Sequence, residues 1–149
     1  MYNEEYIDSI LEKTLMEVGS LNLYDILSHH EVSALPLPEG SILLNEIGAC
    51  YIRSDNNAVI WYSDKLVNKD FAIAHEFAHM ILHDDKKEYC YYNPLSNRLK
   101  EEKEANYFAT KLLYSNIYIE DGIETKEQLA KYLMIEESCV DYIVNGNEN

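Results

Sequence analysis

The spacing of apolar positions changes along the chain, and each change marks an element. Tyr6, Ile7, Ile10, Leu11, Leu15 and Val18 recur at helical spacing from about residue 3, and Gly19 supplies a stop. A second short helical stretch covers Leu21 to Leu27, before Pro36, Pro38 and Gly40 mark a loop. The texture then shifts to β-branched and aromatic residues: Ala49 to Arg53 and Ala58 to Tyr62 flank the polar turn Ser54-Asp55-Asn56-Asn57, which predicts a β-hairpin. From about Lys69 to His83 the pattern is helical and almost entirely apolar apart from its histidines and Glu76, as in a helix buried in a core. After a loop containing Pro94, a further helix is expected from about Asn97 to Leu113. Thr125 and Gln128 fit the S/T-x-x-E/Q capping box that opens a short helix, and another runs from about Glu136 to Val144 before Asn145-Gly146.

These elements predict one α+β domain over residues 1–149, with N-terminal helices in 1–30, a core at about 41–115 and C-terminal helices at about 125–145. A length of 149 residues with 47% hydrophobic content suits one compact core. Composition narrows the possible partners. A formal net charge of −15 repels the phosphate backbone, so direct nucleic-acid binding is not expected. Cys50, Cys90 and Cys139 are odd in number and lack C-x-x-C spacing, which argues against a disulfide framework and for a reducing compartment. No apolar run approaches the roughly 20 residues of a membrane span, and Met-Tyr-Asn-Glu-Glu is not the start of a signal peptide. The expectation is a soluble, cytoplasmic protein with no membrane partner.

Candidate chemistry lies in His75-Glu76-Phe77-Ala78-His79, an H-E-x-x-H pattern on a predicted helix. A step of four residues turns a helix by about 400°, so both imidazoles project from one face and can share a metal ion. Glu76 lies beside that face, where it can reach a metal-bound water as general base without being a ligand. Two histidines and a glutamate on an otherwise apolar helix need partners if they are not to destabilise the core, and a bound Zn2+ supplies them.

A catalytic zinc usually takes three protein ligands and keeps a fourth position open. The pattern H-E-x-x-H-x-x-G-x-x-H is excluded, because Leu82 and Asp85 occupy its glycine and third histidine. A carboxylate from the downstream helix is the other solution, offered by Glu101, Glu102 and Glu104. Ala105, Phe108, Ala109 and Leu112 define that helix's buried face; Glu101 and Glu102 fall within it and Glu104 lies at its flank. Periodicity alone leaves the ligand open.

Ala74-His75-Glu76-Phe77-Ala78-His79, then Ile81-Leu82-His83, then Glu104-Ala105-Asn106-Tyr107-Phe108-Ala109-Thr110-Lys111-Leu112-Leu113 resembles the ImmA/IrrE family of metallopeptidases. The specific motifs span residues 71–113, and the helix pair around Leu129-Ala130-Lys131-Tyr132 is similar to the family's C-terminal portion. The resemblance implies a zincin-like fold, zinc held by His75, His79 and Glu104, and Glu76 as catalytic base. It further implies a bacterial or mobile-element endopeptidase that makes limited cuts in a helix-turn-helix repressor. The alternative is a zinc-bearing interaction module that binds a regulator without cutting it. Two departures bear on substrate preference: Tyr114-Ser115 follow Leu112-Leu113 where the family commonly continues M-P, and Asp70 precedes the motif where basic residues are usual.

Weaker signals complete the picture. His83, one turn past His79, suits either a residue that orients a ligand or oxyanion, or a helix-end histidine favoured by the dipole. Asp84 and Asp85 read as loop carboxylates, and His29 and His30 as solvated. The acidic helix pair at 125–144 is expected to pack on the core rather than enter DNA, and the strand Ala58 to Tyr62 to offer an edge for an extended peptide.

Overall fold

A computed structural model describes residues 3–42, 44, 48–54, 57–83 and 95–144. Six helices and a three-stranded sheet make it α+β, as the apolar pattern predicts. Helix α1 (Glu4–Val18) opens on Asn3, whose side chain accepts from Tyr6 N, and stops at Gly19 in the left-handed region at φ 79°. Helix α2 (Leu23–His29) begins with Asn22 capping two backbone N–H groups.

Strand β1 (Val32–Leu37) forms where the sequence suggested only a loop. Pro36 within it and Pro38 just beyond it hid it. The sheet order is β1-β3-β2, so β1 is an edge strand bonded on one side to β3 (Asn57–Ser63), and Pro36 sits in it opposite Tyr62. An edge tolerates the missing N–H that a central strand would not. Strand β2 (Ala49–Ser54) pairs antiparallel with β3, as the hairpin pattern predicts. Because β3 is bonded on both sides, Ala58 to Tyr62 cannot be the edge that receives an extended peptide.

Helix α3 (Lys69–His83) carries the motif through the core, burying every residue from Ala72 to Met80. Asn68 caps it by accepting from Phe71 N. The Asn68 amide also donates to Tyr114 Oη at 3.0 Å and to the Leu133 carbonyl at 2.9 Å, tying the start of α3 to two later elements. Helix α4 (Leu95–Tyr114) packs along α3. Ala74 and Ala78 on one helix, and Ala105 and Ala109 on the other, share a core cluster with Phe77 and Phe108, so small side chains let the backbones approach. Tyr107 Oη donates to Asp8 Oδ1 at 2.8 Å and fixes α4 to α1.

Helices α5 (Lys126–Leu133) and α6 (Glu137–Val144) bury Leu129, Leu133, Val140 and Ile143 in a second cluster, and α6 also packs on α4. The capping box is present: Thr125 Oγ1 accepts from Gln128 N while the Gln128 side chain accepts from Thr125 N. Packing, as expected, is the role of this pair.

His29 is exposed as expected, but His30 is half-buried and set edge-on to the Phe77 ring, with centroids 5.4 Å apart. Burial and the neighbouring His29 lower its pKa. Cys50 and Cys139 are both buried. Asp84, Asp85, Cys90, Pro94 and Asn145-Gly146 lie outside the described residues. Among the described residues no helix is long and apolar enough to cross a membrane.

Candidate metal centre

His75 and His79 meet one turn apart on α3, both almost fully buried, with their Nε2 atoms 3.2 Å apart. The carboxylate that faces them belongs to Glu102. Its Oε1 lies 2.8 Å from His79 Nε2 and its Oε2 lies 3.2 Å from His75 Nε2. Glu102 is 31% exposed, so the group is walled in on the α3 side and reached from the Glu102 side.

The sequence resemblance had pointed to Glu104, and the structure places that residue elsewhere. Its Oε2 lies 3.7 Å from His83 Nε2, away from the His75 and His79 Nε2 atoms. The reason is helical phase. A step of two residues turns α4 by about 200°, so Glu102 and Glu104 cannot face the same point on α3. Glu102 shares its side of the helix with Asn106, four residues on, which also touches His75. Periodicity had put Glu102 on the buried face and Glu104 at its flank; both are half-buried, Glu104 the less exposed of the two at 13% against 31%, and only Glu102 faces His75 and His79.

Asn106 is a site residue to which the sequence reading gave no role. Its Oδ1 lies 2.8 Å from His75 Nδ1. An amide oxygen only accepts, so the His75 ring proton sits on Nδ1 and the lone pair of Nε2 points at Glu102 and His79. The available signal was a polar side chain next to Ala105 on the apolar face of α4.

The electrostatics follow from this convergence. Burial alone would lower the His75 pKa, but the Glu102 hydrogen bond and the charges of Glu76 and Glu102 outweigh it and hold His75 above its ordinary value. Burial would likewise raise Glu102, yet hydrogen bonds and charge from both imidazoles bring its carboxyl far below the usual carboxylate range. Two imidazole nitrogens and a carboxylate converge on one point, where a shared proton or a cation relieves the repulsion of their lone pairs.

The donors fit a zinc ion. Ligand atoms 2.0–2.1 Å from a tetrahedral zinc stand roughly 3.3 Å apart, and the chemistry is that of a two-histidine, one-carboxylate set. The three separations here are 2.8, 3.2 and 3.2 Å. His75, His79 and Glu102 form one group able to hold a metal ion, and His79, His83 and Glu101 form another. Glu76, 3% exposed, sits beside His75 in the same buried stretch.

His83 occupies the far side of His79, its Nδ1 3.0 Å from His79 Nδ1. Burial and the neighbouring His79 push its pKa down to about 4. At the start of α3, Asp70, which stands where the family favours basic residues, accepts a hydrogen bond from Tyr24 Oη.

A helix bearing H-E-x-x-H under a small sheet, with a carboxylate brought in from the next long helix, defines a protein of metallopeptidase type. The chain matches peptidase family M78, the IrrE N-terminal-like domain, over residues 44–142, about two-thirds of its length, and belongs to that family. No curated protein and no solved structure matches it.

Proposed function

We propose that the chain is a zinc-dependent endopeptidase that binds one zinc through His75, His79 and Glu102 and uses Glu76 as its base. The observation that carries this reading is the meeting of two imidazole nitrogens, 3.2 Å apart, with the two oxygens of one carboxylate, each within 3.2 Å of one of them, on a buried helix face next to Glu76. Zinc, when bound, would acidify a water and polarise a scissile carbonyl. Glu76 would take a proton from the attacking water and pass it to the leaving amine. Asn106 holds His75 in the tautomer that leaves Nε2 as the donor atom. Burial of α3 keeps bulk water from the polar cluster, which strengthens every charge interaction within it.

A helix-turn-helix repressor as the substrate, cut at one or a few sites, is supported by the family resemblance, and such a substrate puts the enzyme in the cytoplasm. The experiment has two parts. Elemental analysis should find about one zinc per chain, because this donor set is the usual open catalytic one. The zinc form and Glu76→Gln are then incubated with casein and with a helix-turn-helix repressor, chosen from a gene adjacent to this one if one is found there, and products are mapped by mass spectrometry. The expected result is limited repressor cleavage by the native chain and none by Glu76→Gln, which should keep its zinc. Undiminished cleavage by that variant would rule out Glu76 as the base. Many-site digestion of casein beside an intact repressor would leave a general peptidase. A zinc-loaded chain that binds the repressor and never cuts it would be an interaction module.

A further inference from the structure

We infer that His83 and Glu104 form a positioning pair behind His79, with His83 Nδ1 accepting the ring proton of His79 and Glu104 facing the outer nitrogen of His83. The inference rests on the reading of His75, His79 and Glu102 as a metal set.

The two Nδ1 atoms of His79 and His83 are 3.0 Å apart. At that distance one nitrogen donates and the other accepts. His79 turns Nε2 toward His75 and Glu102, so a His79 that offers Nε2 as a ligand atom carries its proton on Nδ1. Nδ1 of His83 is then the acceptor, and the His83 proton sits on Nε2. That Nε2 is buried and has no hydrogen-bond partner among the described residues, and Glu104 Oε2 stands 3.7 Å away. A carboxylate there favours a proton on that nitrogen, and a shift of under an ångström would close a direct hydrogen bond. The two metal-facing histidines are thus held by different means: His75 by an amide oxygen of α4, and His79 by a histidine of its own helix backed by a carboxylate of α4.

The same residues admit a competing arrangement, a second cation held by His79, His83 and Glu101 beside one on His79 Nε2. It would require His79 to lose its only ring proton and bridge two ions as an imidazolate. A shared proton makes no such demand.

The test uses the full chain and two readouts. In a chelator competition, His83→Phe, which keeps a ring but removes the acceptor, should weaken zinc affinity by about 10–100-fold, the usual cost of losing a partner behind a ligand. His83→Gln, whose carbonyl can accept from His79 Nδ1, should recover most of that loss, which a merely space-filling role would not produce. Glu104→Gln should weaken affinity by less than His83→Phe. Nitrogen NMR of the zinc-loaded native chain should show the proton of His79 on Nδ1 and that of His83 on Nε2, and it decides the matter if the phenylalanine variant does not fold. Unchanged affinity in His83→Phe, while Glu102→Ala strips the ion, would overturn the positioning pair and leave the metal site standing. Two zinc ions per native chain, or a proton on His83 Nδ1, would also overturn it. A native chain that takes up no zinc would overturn the metal site and the pair together.

Discussion

Helix α3 and the α5–α6 pair are built on opposite principles. The pair buries apolar side chains, turns its charges outward, opens on a capping box and closes α5 at Met134 in the left-handed region at φ 59°. Local rules account for all of it. Helix α3 buries nine residues in succession and includes His75, Glu76 and His79 among them. Burying polar groups costs stability unless they find partners. The pair is thus organised for folding, while α3 accepts a cost that Asn106, Glu102 and His83 offset in part and that a bound cation would offset further. Conditions that remove a metal should therefore be felt in α3 and α4 and barely in α5 and α6.

The contrast can be broken most forcefully at the ligands. Glu102→Ala should lower zinc affinity by more than about 100-fold, since losing even a partner behind a ligand costs 10–100-fold. Glu104→Ala should cost distinctly less. The reverse order, read by chelator competition on folded protein, would return the ligand role to Glu104. In the other region, Ile143→Ala should destabilise the chain by about 2–5 kcal/mol, the usual cost of truncating a buried isoleucine, and leave zinc affinity nearly unchanged. Denaturant unfolding and the same competition assay measure both halves, and a linked loss of affinity would show that the regions are not separable.

Smaller effects sharpen the picture. Thr125→Ala removes the cap that opens α5 and should cost about 1 kcal/mol, with metal binding untouched. Cys139, on α6, has its thiol pushed up to about 11 by burial. The folded chain therefore holds that proton more tightly than the unfolded chain, so the associated stability is complete below pH 9, the ordinary value, and declines as pH rises toward 11. Cys139→Ala should flatten that part of the stability profile, as urea titrations across alkaline pH would show.

Much of this was legible in the residues because local rules and the final structure agree. The period of Tyr6 to Val18 gave α1, the polar turn between two β-rich runs gave the β2–β3 hairpin, and Thr125 with Gln128 gave the start of α5. The pairing of His75 with His79 follows from helical geometry alone. What escaped depends on long-range neighbours. Pro36 argued against a strand until β1 proved to be an edge, and the alternation of β3 cannot say that it lies between two partners. The carboxylate facing His75 and His79 was hidden for a different reason: a short E-A-N match pointed to Glu104, whereas helical phase brings Glu102 across the helix interface.

The order β1-β3-β2 also bears on how the chain reaches this state in time. Ser54 pairs with Asn57, close by in the chain, whereas Val32 pairs with Ala58, 26 positions away by subtraction of 32 from 58. Closing the longer loop costs roughly 2 kcal/mol more in chain entropy. The hairpin can therefore assemble early from contiguous chain, and β1 docks afterwards on a surface already made. Val32→Ala should then speed unfolding while leaving the refolding rate nearly constant in stopped-flow measurements. Since α2 packs on β1 and α3 on β2 and β3, that order would give the motif helix its floor before α2 docks with β1.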